Sequence, residues 1–184
     1  ESELIYWDEQ LVSYGANITA ARMKMIGEIY EYLVPIHSNL TSSMESCQLN
    51  YKGISTLSEF SNQQELIEQF YTKLKDKRKD EITRGISLIG PHRDDLEILI
   101  SDKEARAYAS QGQARTFGLS LRLAEAQYLS KHRADEPVLL LDDVFSELDS
   151  HRRNQVLEST KIYEQVLITT TDFNLLDSIL LSES

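Results

Sequence analysis

Two adjacent carboxylates, Asp142 and Asp143, follow directly on the apolar run 138–141 within the stretch P-V-L-L-L-D-D-V-F-S-E-L-D, residues 137–149. Such a run fits a fully buried strand of a mixed or parallel sheet, and sheets of that kind place their ligand sites at the carboxyl ends of the strands. Asp142 at the strand tip would be a hard oxygen ligand, able to help position Mg²⁺ on nucleotide phosphates directly or through water. Asp143, one residue on, is placed to orient or deprotonate an attacking water. This is the layout of a Walker B element. Taken alone, the same residues also fit a core strand capped by two solvated acids.

A second group is Ser110-Gln111-Gly112-Gln113, which precedes an amphipathic helix expected over 114–129, with Leu119, Leu123 and Ala126 on one face. Backbone N–H groups and the positive end of the helix dipole point outward there, and Gly112 lets a phosphate approach closely. Serine is also a good helix cap and glycine a common turn residue, so a purely structural role fits as well. After the two acids, Ser146, Glu147, Leu148 and Asp149 form the loop leaving the strand. Asp149 or Ser150 would cap a helix over 152–159. A further buried strand at 166–168 runs into Thr169, Thr170, Thr171 and Asp172, whose hydroxyls fall near the same sheet edge as Asp142; β-propensity and a turn explain the threonines equally.

The elements that must position these groups occupy the rest of the chain. Leu4, Trp7, Leu11, Tyr14, Ile18, Met25, Ile29 and Leu33 recur at helical spacing and predict one long amphipathic helix ending at Pro35, with a short second helix over 36–44. A strand over 48–54 closes on Gly53, and a helix is expected over 62–79, with Leu66, Phe70 and Leu74 along one side. The end of that helix carries Lys73, Lys75, Lys77, Arg78 and Lys79. They read either as a solvated helix terminus complementing the dipole or as a patch for DNA or a partner. A short strand over 86–89 leads to a hairpin built on 96–100 and 104–109.

The chain has 184 residues, 41% hydrophobic and 27% charged, enough for one good-sized domain or one lobe with an appendage. No apolar run approaches the ~20 residues that span a bilayer, which excludes a membrane-spanning helix. A single cysteine, Cys47, cannot form an internal disulfide and suits a reducing cytoplasm. The net charge of −11 argues against this segment alone gripping nucleic acid strongly.

Residues 87–172 resemble the C-terminal half of an ABC-type ATPase head, and more closely the RecF recombination-repair family of the SMC-like group. The residues that carry the likeness are L-I-G-P-H-R-D-D-L (88–96), Y-A-S-Q-G-Q-A-R-T (108–116), L-L-L-D-D-V-F-S-E-L-D (139–149) and I-T-T-T-D (168–172). W-D-E-Q-L-V-S-Y-G (7–15) is similar to the arm domain of the same family. The resemblance implies a mixed α/β fold: a mainly helical arm domain over 1–85, and over 86–184 a C-terminal ATPase lobe. It further implies that Ser110, Gln111, Gly112 and Gln113 form the signature loop, which meets the γ-phosphate of ATP held by an opposite subunit, with Arg115 close enough to meet phosphate. Asp142 takes the Mg²⁺ position. Asp143 stands where many such ATPases have a catalytic Glu, and its shorter reach fits slow, switch-like hydrolysis. Ser146, Glu147, Leu148 and Asp149 match the D-loop, and Thr171 stands where many relatives carry a switch His.

No G-x-x-x-x-G-K-[ST] occurs after any glycine, at 15, 27, 53, 85, 90, 112 or 118. The chain begins at Glu1, and the expectation is a C-terminal part whose other half supplies Walker A, so that this segment alone does not hydrolyse ATP. The family implies a weak, Mg²⁺-dependent ATPase in the cytoplasm that dimerises on ATP. It would bind DNA at single-strand gaps and stalled forks and, with RecO and RecR, help load RecA. A non-catalytic scaffold with ATPase-like architecture and an ATPase subunit of a transporter are the other readings.

Overall fold

Helix α1 (Ser2–Leu40) carries two apolar stripes at helical spacing. The stripe of large side chains is the exposed one: Leu4, Trp7, Tyr14, Ile18 and Met25 are 40–65% accessible. The buried stripe is Val12, Ala16, Thr19, Met23, Ile26, Ile29, Leu33, Ile36, His37 and Leu40, and only Ile29 and Leu33 were expected in it. Small residues explain the choice. A Cβ on Gly15 would lie 2.9 Å from the ring of Phe70, so the helix is buried where its surface is narrow enough for a neighbour to come close. The computed structural model describes residues 2–54, 62–133, 136–145 and 148–171.

The expected break at Pro35 does not occur, and no separate helix follows it: α1 continues through the proline to Leu40. A proline inside a helix costs about 3 kcal/mol through a lost hydrogen bond and a ring clash. Beyond it, Ile36, His37 and Leu40 are each at most 6% exposed, and burying that last turn outweighs the penalty.

Two compact units are formed, neither continuous in sequence. One comprises residues 1–28, 48–99 and 103–107, the other residues 29–47, 100–102 and 108–184. The expected division at residue 85 does not coincide with the border between them, because α1 contributes to both.

In the first unit, β1 (Cys47–Lys52) lies in a three-stranded sheet of order β1-β2-β3 with β2 (Asp95–Ile100) and β3 (Lys103–Glu104). Ser101 and Asp102 link the last two with φ of 48° and 63°, the left-handed pair that a tight hairpin needs. The hairpin's second arm is short, because the chain turns at once into α3 (Ala105–Tyr108). Helix α2 (Gln63–Arg84) packs Leu66, Phe70 and Leu74 with Val12, Ala16 and Ile54. Asn62 caps it by accepting from Glu65 N–H at 3.0 Å, and Gly85, at φ 63°, ends it. The lysine-rich run therefore lies inside this helix and not at its end. Three of its cations are engaged: Lys73 donates to Ile54 O, Lys77 faces Asp80 and Arg78 pairs with Asp8. Residues 86–89 do not form the expected strand; the Glu81 carboxylate instead accepts from Leu88 N–H at 2.7 Å and Ile89 N–H at 3.3 Å.

In the second unit, α4 (Gln111–His132), β4 (Leu139–Asp142), α5 (Ser150–Thr160) and β5 (Val166–Thr169) follow one another. Strands β4 and β5 are parallel, with Leu139 opposite Val166 and Asp142 opposite Thr169. Neither strand is fully buried. Leu139 and Leu141 are covered, but Leu140 and Leu167 are 68% and 52% exposed, and Val138 just before β4 is 50% exposed. The two strands thus have a covered side and an outer side open to solvent among the described residues; Phe117, Leu123, Phe145 and Val156 are further buried side chains of this unit.

Candidate functional site

The tip of β4 is clasped by one residue of β5. Thr169 Oγ1 donates its single proton to Asp142 Oδ1 at 2.5 Å and accepts from Asp143 N–H at 2.9 Å. Asp143 N–H also reaches Thr169 O at 3.2 Å. Asp143 has φ 48°, a left-handed conformation that is uncommon outside glycine although aspartate takes it more readily than most residues. The chain therefore leaves the strand in a sharp bend that presents both carboxylates to solvent. Thr169 was expected only as one of several hydroxyls near this edge, and its pairing depends on strand register that no local motif encodes. Thr171 is exposed.

Ser110 caps α4 in a reciprocal box. Its Oγ accepts from Gln113 N–H at 3.2 Å, and Gln113 Oε1 accepts from Ser110 N–H at 2.9 Å. Ser110, Gln111, Gly112 and Arg115 are exposed, whereas Gln113 is half-buried. A Cβ on Gly112 would meet nothing within 4 Å, so the chain's own packing does not require this glycine. Asp149 is the cap of α5, accepting from Arg152 N–H at 2.9 Å. Leu148 N–H closes a turn on Phe145 O, while Ser146 and Glu147 lie outside the described residues.

A cleft of about 340 Å³ in this unit brings part of the group together: Gly112 and Arg115 share it with Asp143, Val144, Leu148 and Arg152. Ser110, Gln111, Gln113, Asp142 and Thr171 are not among its lining. Arg152 also donates to Thr116 Oγ1 at 3.2 Å, tying the start of α5 to α4. Among the described residues no three His, Cys, Asp or Glu side chains converge as a metal cage. No described helix is long and apolar enough to cross a membrane.

No family model matches the chain. It is 43% identical over 176 residues to the DNA replication and repair protein RecF of Halothermothrix orenii, covering 94% of this chain and 46% of that protein. To the RecF of Staphylococcus carnosus it is 38% identical over 170 residues, 92% of this chain and 46% of the other. Its fold matches a solved structure described as the recombination mediator protein RecF-ATP in the RecFOR pathway, with a TM-score of 0.81 and 30% identity over 94% of this chain and 46% of that one. The chain spans about half the length of the curated relatives it matches. At these identities, and with that agreement in fold, the chain belongs to the RecF family of DNA replication and repair proteins.

Proposed function

We propose that the chain is the C-terminal part of an ATP-dependent repair protein whose two heads close around two ATP molecules. Each site would pair Walker A and Walker B of one head with the signature turn of the other. The observation that supports this best is the tip of β4, where Thr169 holds Asp142 and Asp143 outward at the carboxyl end of a parallel strand pair. A single exposed carboxylate suits Mg²⁺, which in nucleotide sites keeps waters and phosphate oxygens as most of its ligands. When bound, the ion would supply positive charge against the phosphates. Asp142 would hold it, and Asp143 would orient the attacking water with the limited reach of a short side chain.

Ser110, Gln111, Gly112 and Gln113 would present the N-terminus of α4 to the γ-phosphate on the partner head, with Arg115 beside them. Ser146, Glu147, Leu148 and Asp149 would lie along the dimer interface, and Thr171 would offer a hydroxyl where other ATPases place a histidine. The glycine-lysine phosphate loop, absent here, would come from the rest of the protein. In this reading the protein is a weak cytoplasmic ATPase. It would close on DNA at gaps and stalled forks, work with RecO and RecR, and release on hydrolysis. Because the segment carries a net charge of −11, DNA contact would come from local basic surface or from the other half.

Ser110→Arg in the intact protein tests the trans contact. Sedimentation should show ATP binding retained and ATP-driven dimerisation abolished; dimerisation at the parent level would refute the assignment.

A further inference from the structure

We infer that Glu45 is a positioning residue for the turn that opens α4, acting through Gln113; the inference rests on the signature role proposed for that turn. Glu45 Oε1 accepts from Gln113 Nε2 at 3.2 Å, although the carboxylate is only 17% exposed. A side-chain amide can be turned either way, and its two ends are opposite in hydrogen-bonding sense. A carboxylate can only accept, so it fixes the NH₂ end toward itself and the Oε1 end toward Ser110 N–H, the direction the capping box requires. With Glu45 removed, only Ser110 N–H favours that orientation among the described contacts, and the cap loses the second hold that fixes the amide.

His37 keeps Glu45 committed to this contact. The imidazole is fully buried, and its Nδ1 lies 3.1 Å from Ser120 Oγ. Ser120 gives its own proton to Thr116 O at 2.8 Å, so Nδ1 must carry the hydrogen that Ser120 accepts. Nε2 is then the unprotonated edge, and it faces Glu45 Oε2 at 4.0 Å. These two atoms are buried, and neither has a hydrogen-bond partner among the described residues. Two acceptors face each other there, which leaves Gln113 as the hydrogen-bonding hold on the carboxylate. Burial and the nearby Arg152 both favour the neutral imidazole, against the opposing pull of Glu45. Taking a carboxylate out of water is expensive unless it is paired or hydrogen-bonded, and here it orients the one amide that completes the cap of α4.

The test uses the intact protein with Glu45→Ala and Glu45→Gln beside Ser110→Arg. Binding of a fluorescent ATP analogue to the monomer and ATP-driven dimerisation are measured separately, with thermal melting as the check on folding. Glutamine keeps an oxygen for Gln113 and adds an N–H for His37 Nε2, so Glu45→Gln should dimerise as the parent does. Glu45→Ala should lose about tenfold in dimerisation, the scale of a hydrogen bond to a charged group, with monomer ATP affinity unchanged. Glu45→Met, which fills the volume without an acceptor, gives the same reading should the alanine variant fail to fold. If Ser110→Arg blocks dimerisation and Glu45→Ala does not, the positioning role is wrong while the trans contact stands. Equal loss in the alanine and glutamine variants also overturns it, since the hydrogen bond would not be the cause. Should Ser110→Arg leave dimerisation intact, the trans reading has failed and this inference falls with it.

Discussion

Gly112 occupies the first turn of a long helix, a place where alanine is the better residue by about 1 kcal/mol. Its φ is not left-handed, and a methyl group there would touch nothing within 4 Å. A residue that costs stability without relieving strain or crowding is best explained by something from outside that must approach the backbone. Gly112→Ala is therefore expected to raise the stability of this chain by about 0.5–1 kcal/mol in urea unfolding. In the intact protein it should weaken ATP-driven dimerisation, and gain on both measures would mean that no ligand comes close at this position. The Ser110 turn was legible in the sequence because a capping box is local: cap and partner lie on one turn. The Thr169 clasp was not, since it depends on which residue of β5 stands opposite Asp142. The same holds for Glu45 and His37, whose roles depend on partners that no spacing rule brings together.

At the scale of elements, the helices and parallel strands of the second unit could be read from apolar pattern and caps, while α1 and α2 misled in instructive ways. The apolar stripe of α1 was chosen by side-chain size, but burial followed the small residues Gly15 and Ala16, which let Phe70 approach. The run of lysines in α2 reads as a helix end, yet the helix continues to Arg84, where Gly85 takes the left-handed cap. Pro35 reads as a stop, but the next turn carries Ile36, His37 and Leu40, all buried. That turn also supplies the imidazole behind Glu45, so the penalty at Pro35 is borne within the element that anchors the candidate site. Pro35→Ala should restore the hydrogen bond to Glu31 O and remove the ring clash. Its benefit is reduced by the greater freedom of the unfolded chain, leaving a net gain of about 1–2 kcal/mol in unfolding free energy, read from urea unfolding. A loss would mean that the proline sets a bend on which the packing of His37 depends.

For the molecule as a whole, the most informative surface is the outer face of β4 and β5. Parallel strands are rarely left uncovered, and a two-stranded sheet is marginal unless something packs on it. Yet Leu140 and Leu167 stand 68% and 52% exposed on this one, and Val138 just before β4 is 50% exposed. Burying a leucine side chain fully is worth about 1.5–3 kcal/mol, so such a face finds a cover when one is within reach. In the proposed full-length protein the other half provides it; in the isolated chain a second copy is the nearest apolar surface available. The isolated chain should therefore self-associate as its concentration rises in sedimentation velocity runs. Leu140→Lys with Leu167→Lys should keep it monomeric with little change in its own melting temperature, since both side chains are already more than half exposed. Placed in the intact protein, the same pair should bury two lysines and cost several kcal/mol, seen as lost folding or a lower melting temperature. Opposite signs in the short and long chains would identify this face as the seam between the halves of the head. If the intact protein tolerates both lysines, the face is solvent-exposed there too, and the remaining strands of the nucleotide site must join the β4–β5 pair along its edges.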